Sequence, residues 1–267
     1  DSIAKNWLAD KIDVVISEKS VKNLYLTYSL IGSKVNLQKE LNIDFVQDDL
    51  KKYISVQHGN IQQLTRMYLL IKVLEADEAF FSAKVANIIQ VADTGELETF
   101  LKFLILLPNP EKYKATAVDA LRTNISTVFN AIAFNNPYPA KYFDEKQWNQ
   151  MYLKTAFMQG DLSAIQDIDS RANKDLARII SDYAHERWAA SRDIDPYFWR
   201  PVTSFLDDTL LIDMKRLVFS ENPIEQKAAA LCLVNSRLPE AKEMLKEYPE
   251  LTEKVKNKTI GWSSLKN

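Results

Sequence analysis

The side chains best placed to do chemistry stand between Ile168 and Arg200, above all in Asp182-Tyr183-Ala184-His185-Glu186-Arg187-Trp188. This stretch holds one of the chain's two histidines and two of its five tryptophans. Asp182, His185 and Glu186 follow the i, i+3, i+4 spacing that lets one helix present all three together. Metal binding, proton transfer and the grip on an anion are the chemistries such residues serve. A metal lacks ligands: the residue four after His185 is Ala189, His58 is the other histidine, and Cys232 is the lone cysteine. No two-histidine zinc motif or cysteine pair exists, so no metal is expected. No glycine-flanked serine on a strand-turn-helix elbow offers a nucleophile. The five glycines, at 32, 59, 95, 160 and 261, match neither a phosphate loop nor a dinucleotide fingerprint, and no cofactor is expected.

On a helical wheel Leu176, Ile179, Ile180, Tyr183 and Ala190 form an apolar stripe with Arg187 near its middle. Arg178, Asp182, His185 and Arg192 lie opposite, and Glu186 sits at the border. An arginine inside an apolar stripe needs a carboxylate or several carbonyls. Arg187 therefore reads as a buried structural ion pair, with Asp119, Asp144 or Asp169 as candidate partners. Two other readings stay open: a guanidinium snorkelling to water over a packed stem, and a grip on an anionic ligand between helices.

Further polar residues gather between 122 and 192, among them Asn149, Gln150, Lys154, Asp169, Arg171 and Asn173. Asn and Gln suit helix interiors poorly, so their accumulation asks for a reason. About half are expected to hydrogen-bond loop backbone. The rest are expected to line a concave polar cleft for a small molecule: Arg122, Asn124, Asn149, Asp182, His185, Glu186 and Arg192. Asp182, one turn before Glu186, can share a partner with it, and such adjacent carboxylates need a cation, a proton or a histidinium to coexist.

Helices must position these groups. Five glycines in 267 residues, against an average usage of roughly 7%, leave little for hairpins or bulges. Roughly fourteen helices and no strand are expected from periodicity and caps. Strong segments are 61–74, then one capped by Asp77 and one opened by the Asp93/Glu96 capping box. A continuous helix is expected over 112–134, stopped by Asn135-Asn136-Pro137-Tyr138-Pro139, a segment expected to pack on the helix around 168–190. A helix around Phe45 to Tyr53 precedes the His58-Gly59-Asn60 turn. Gly32 should stop a helix, and Gly160 should supply a left-handed cap. Pro201 should kink the helix begun by Asp195-Pro196, and 254–267 should fray. The fold class is all-α: one domain over 1–267, its helical hairpins stacked as an α-α superhelix in the manner of HEAT or armadillo arrays, though no sequence period is visible.

With 34 basic and 36 acidic residues interspersed, the net charge of −2 gives no footprint for nucleic acid. A lone cysteine points to a reducing, cytoplasmic compartment. No apolar run approaches the ~20 residues of a transmembrane segment. Asp1 in place of an initiator methionine fits the removal of an upstream segment.

In Arg122-Thr123-Asn124, Asn136-Pro137-Tyr138-Pro139-Ala140, Tyr142-Phe143, Trp148-Asn149-Gln150-Met151, Asp169-Ser170-Arg171-Ala172-Asn173, and Asp182 to Ala190 with Arg192, the chain resembles the EboA family. The likeness is close and in order over about residues 115–200. One departure is Ser191, where the family's pattern often has glycine. The resemblance implies a bacterial protein encoded beside a prenyltransferase-like membrane protein, TIM-barrel metal-enzyme homologues and a dehydroquinate-synthase-like protein. That set is associated with moving a secondary-metabolite precursor towards the periplasm. No catalytic residues carry over from the family. Two functions follow as expectations: a non-enzymatic scaffold or binder of a small polar metabolite working with protein partners of the pathway, or an enzyme on a polar anionic metabolite with His185 or Glu186 as general acid-base. The missing cofactor motifs favour the first.

Overall fold

The computed structural model describes residues 2–39, 41–43 and 46–266, which form fifteen α-helices and six 3-10 segments with no strand among them. Two compact units divide the chain, 1–143 and 144–267.

The first unit opens with α1 (Ser2–Ser17) and α2 (Val21–Lys34), both packed on α4 (Ile61–Ala86). Between them lies α3 (Asp48–Val56); it begins at Asp48, and Phe45, its expected start, lies outside the described residues. The expected new helix at Asp77 appears as a kink inside α4, where Asp77 leaves helical geometry and its carboxylate accepts from the Phe80 N–H. Gly32 does not stop α2, which runs to Lys34. It makes room instead: a Cβ there would meet the Arg66 guanidinium at 3.2 Å. That buried arginine donates to the Tyr28 carbonyl and stands 3.9 Å from buried Glu96. Glu96 also completes the capping box of α5 (Thr94–Phe103).

The helix expected over 112–134 is broken. A 3-10 turn at Pro110–Tyr113 leads into α6 (Lys114–Ala120), and α7 (Ser126–Ala133) starts afresh. The Thr123 hydroxyl accepts from the Ile125 N–H, a local bond that competes with helix continuation. After α7, the Asn135–Pro139 segment is held by its own unit. Asn136 donates to the carbonyls of Leu101 and Ala131, while fully buried Tyr138, the first residue of α8 (Tyr138–Tyr142), donates its hydroxyl to Pro110.

The second unit contains α9 (Glu145–Phe157), α10 (Ile168–Arg171), α11 (Lys174–Ala189), α12 (Asp208–Val218), α13 (Pro223–Val234), α14 (Pro239–Leu245) and α15 (Pro249–Lys256). Its centre is α13, where Ala228 to Leu233 are six consecutive buried residues. Six in a row cover every side of a helix, so α13 is enclosed all round. α12, α14, α15 and the 3-10 segments at Pro196–Ser204 and Trp262–Leu265 pack on it. Its three alanines allow that close approach. The Pro196–Ser204 segment was expected as a kinked α-helix; Pro201 lies inside a continuous 3-10 stretch, an i to i+3 pattern that spares the α-ladder proline breaks. The C-terminal tail, expected to fray, is pinned: Leu265 is buried, Trp262 packs edge-on against Tyr197, and Lys266 pairs with Asp161 and Asp195.

Enclosure in α13 also governs Cys232, whose buried thiol is pushed up to about 12 from 9.0 by desolvation. The unfolded chain releases that proton first, so this contribution to stability is intact below pH 9 and is lost as pH rises towards 12. We expect native protein at pH 8 to be silent to a thiol reagent, to react at one equivalent in denaturant, and to show a falling urea midpoint over the alkaline range. We also expect Ala229→Leu, which overpacks a fully enclosed site, to cost ~1–3 kcal/mol in urea denaturation.

Candidate functional site

The buried stripe of α11 is Leu176, Ala177, Ile180, Ser181 and Ala184. It is rotated from the stripe that large apolar residues suggest, because small Ala177, Ser181 and Ala184 give the closest approach. Ile179, Tyr183 and Arg187 fall on its flank, half-buried. Asn173 caps the helix, its side chain accepting from the Leu176 N–H, and it exchanges paired amide hydrogen bonds with buried Asn149 at 3.1 and 2.9 Å.

Three sides of α11 carry different groups. Asp182 turns outward to Arg178 at 2.9 Å, an exposed pair. His185 reaches α12, where its Nε2 lies 2.6 Å from Asp213 Oδ1. The imidazole is 54% exposed while the carboxylate is 1% exposed. Ser181, one turn before His185, donates its hydroxyl to the other oxygen of Asp213 at 2.5 Å. Because Ser181 bonds the carboxylate and not the imidazole, the three do not form a nucleophilic relay. Asp182, His185 and Glu186 thus diverge, and no group of three or more His, Cys, Asp or Glu that could hold a metal occurs among the described residues.

Arg187 was expected as a buried ion pair. Its partner is a backbone carbonyl: Nε and Nη2 donate to the Asp193 oxygen at 3.2 and 2.7 Å. The reason lies in how α11 ends. Ser191 takes φ 52°, the Ser191 N–H returns to the Trp188 carbonyl, and the Arg192 N–H returns to the Arg187 carbonyl. This double return is a Schellman turn. It reverses the chain so that Asp193 passes the Arg187 side chain and Arg192 emerges beside it. The end of α9 repeats it, with Gln159 at φ 55° and the Gly160 N–H bonded to the Thr155 carbonyl. The left-handed residue there is Gln159, not the expected Gly160.

Both turns border a cavity of about 760 Å³, together with the start of α13 at Asn222 and Glu225. Arg187, Arg192, Asp193 and Asp195 supply its charged wall, and Tyr183, Ile194 and Phe198 its apolar one. The Arg192 guanidinium has no side-chain partner among the described residues. A second hollow, a groove of about 800 Å³, lies between α9 and α11 and includes Asn149, Asp182 and Glu186. Tyr183 borders both.

Of the seven residues expected in one cleft, Asn149, Asp182 and Glu186 share the groove and Arg192 lines the cavity. His185 faces Asp213. Arg122, paired with Asp119 at 2.8 Å, and Asn124 stand exposed on the turn between α6 and α7 in the first unit. Asp213 escaped the sequence reading, yet its signal was there: an acid among Leu210, Met214 and Leu217 on the apolar stripe of α12.

Fold and hollows define an all-helical protein with two ligand-sized depressions flanking one helix. No helix among the described residues is long and apolar enough to cross a membrane. The chain belongs to the EboA family: the family model described as metabolite traffic protein EboA matches residues 1–203. Neither a curated protein nor a solved structure matches it.

Ser191 takes a left-handed φ of 52°, a conformation that glycine bears without steric cost. Ser191→Gly is expected to raise unfolding free energy by ~1 kcal/mol. Asp213→Ala, which strips Ser181 and His185 of their shared acceptor, is expected to lower it by ~1–3 kcal/mol. Urea denaturation checks both.

Proposed function

We propose that this chain is a non-enzymatic helical scaffold that binds a small polar metabolite in the cavity at the ends of α9 and α11. On this reading it works in the cytoplasm of a bacterium with membrane and enzyme partners in the processing or export of a secondary-metabolite precursor. The observation that carries it is the Arg187–Arg192 wall. One guanidinium is fixed by the Asp193 carbonyl, and the other is aimed by a rigid turn and left without an internal partner. A planar, permanently charged fork suits a carboxylate or phosphate group on the ligand. The volume of about 760 Å³ lies in the range of small-molecule sites. Membership of a family described as metabolite traffic proteins supports the same class of ligand. Because the family match crosses the boundary between the two units, residues 1–267 are read as one EboA-like domain whose hairpins stack in a HEAT-like manner.

A second reading, an enzyme acting on a polar anionic metabolite, is favoured by one feature. His185 offers an exposed imidazole oriented by a buried carboxylate, the posture of a general base. Glu186, on the groove side, is the other candidate acid-base group.

Arg192→Met separates the readings. Lacking an internal side-chain partner, Arg192 should be replaceable with a stability change within ~0.5 kcal/mol. We expect this variant to lose pathway output in cells and to lose saturation-transfer signals from a panel of small carboxylates and phosphorylated metabolites, while His185→Gln keeps both. Full output from Arg192→Met would remove the cavity reading; loss of output in His185→Gln with ligand signals intact would favour the enzyme.

A further inference from the structure

The groove between α9 and α11 is built differently from the cavity and does not depend on the metabolite reading. The two helices run side by side in the same direction. Asn149, near the start of α9, meets Asn173, the cap of α11, and the C-terminal turns of both line one cavity. Both lean on Phe198, which stacks on Tyr152 of α9 at 5.7 Å and meets Tyr183 of α11 edge-on at 5.4 Å. This wedge holds the helices apart and leaves a trough.

The floor of the trough is apolar: Leu153 and Phe157 from α9, Ile179 and Tyr183 from α11. Phe157 is 74% exposed, an unusual state for a phenylalanine with no ring partner among the described residues. The two rims carry opposite charge. On the α9 side stand Lys146 and Lys154; on the α11 side stand Asp175, Asp182 and Glu186. Lys146, Asp175 and Glu186 have no ion-pair partner among the described residues, and burial lowers the pKa of the Lys154 ammonium.

Spacing says what fits. Lys146 to Phe157 and Asp175 to Glu186 each span eleven residue steps, about 16 Å at the helical rise. Each wall is a single helix face, with positions three, four, seven and eleven residues apart. A lipid or other amphiphile carries charge at one end, whereas here opposite charges run along two parallel edges. A third helix meets that pattern, because a helix of three turns has an apolar stripe flanked by two separate edges.

We propose that the α9–α11 groove is a docking site for a three-turn amphipathic helix of a partner protein. That helix carries apolar residues along one stripe, basic residues on the edge facing α11 and acidic residues on the edge facing α9. Its apolar stripe covers Phe157 and Ile179, and its basic edge pairs with Asp175 and Glu186.

The test uses the full chain and a labelled helical 15-residue peptide with leucines at i, i+4, i+7 and i+11, arginines on one edge and glutamates on the other. A twin peptide with glutamates on both edges is the control, since merely exchanging the two edges would be undone by docking in the opposite direction. We expect fluorescence polarisation to show binding of the first peptide and about tenfold weaker binding of the twin. Phe157→Glu should weaken the first peptide about tenfold, with an unchanged melting temperature because Phe157 lies mostly in solvent. Asp175→Lys with Glu186→Lys should reverse the preference between the twins. No binding at millimolar peptide, equal binding of both twins, or indifference to Phe157→Glu would overturn the proposal. So would competition by dodecanoate with no effect of the charge reversal, which would mark a site for small amphiphiles. Self-association of the chain that Phe157→Glu abolishes would make a second copy the occupant, and would overturn it too.

Discussion

Reversing a chain tightly at the end of a right-handed helix requires a left-handed residue, and in this protein that residue is never glycine. Lys19, His58, Gln159 and Ser191 all take positive φ at helix ends, and no glycine does. In each case the next residue's N–H returns to a carbonyl five positions back: Val15, Ile54, Thr155 and Arg187. Each left-handed side chain costs roughly 1–2 kcal/mol, so the packing on either side must hold the turn in place. Gly59 and Gly160 follow two of these residues; a Cβ at Gly59 would come within 2.9 Å of Ile54 Cγ2. Gly59 serves close approach while His58 bears the strain. At Ser191 the same geometry sets the chemistry, since the turn that ends α11 brings Arg187 and Arg192 to one wall and delivers the Asp193 carbonyl to the first of them.

A second constraint is the enclosure of α13. A helix buried on all sides gives its neighbours fixed surfaces, and the 3-10 segment at Pro196–Ser204 is pressed against it with Phe198 and Trp199 fully buried. Phe198 then spaces α9 from α11, so the groove width follows from α13 through one ring. On its other flank α11 is tied to α12 by a buried carboxylate that serves two donors at once, Ser181 and His185. Trp188 adds to this seam, stacked on Trp199 and covered by the Arg216 guanidinium at 4.2 Å. A carboxylate in such a place gives direction as well as attachment, because its oxygens fix the rotation of α11 to within one side chain.

The sequence was legible where local physics decides. The capping box at Asp93/Glu96 formed as expected, and the chain leaves helical geometry at Asp77, where a cap was expected. It was less legible where small residues decide. Ranking α11 by its large apolar side chains rotated the stripe away from Ala177, Ser181 and Ala184 and drew Arg187 into the core. The same rule, that a charge in an apolar stripe needs a partner, would have found Asp213. Pairings across helices, such as Asn149 with Asn173 or Arg200 with Asp169, depend on three-dimensional registration that no local pattern encodes. The site residues were gathered by proximity in sequence, yet neighbours on a helix diverge by about 100°. Asp182, His185 and Glu186 accordingly serve three surroundings.

That divergence has a consequence for how the second unit can work. Tyr183 is the one side chain of α11 that borders both the polar cavity and the apolar groove, and its ring rests edge-on against Phe198. A ligand in the cavity that moved this ring would alter the groove floor beside Phe157 and Ile179, and an occupant of the groove would act equally on the cavity. Such coupling is reciprocal by thermodynamic necessity: whatever factor one occupant imposes on the other's affinity is returned unchanged. Its size is bounded by the different contacts Tyr183 makes in its alternative positions, since an occupant indifferent to those positions shifts nothing. Tyr183→Phe keeps the ring and its contact with Phe198, while Tyr183→Ala opens one hollow into the other. Coupling that survives the first substitution and vanishes in the second would place the communication in the ring itself and not in the hydroxyl.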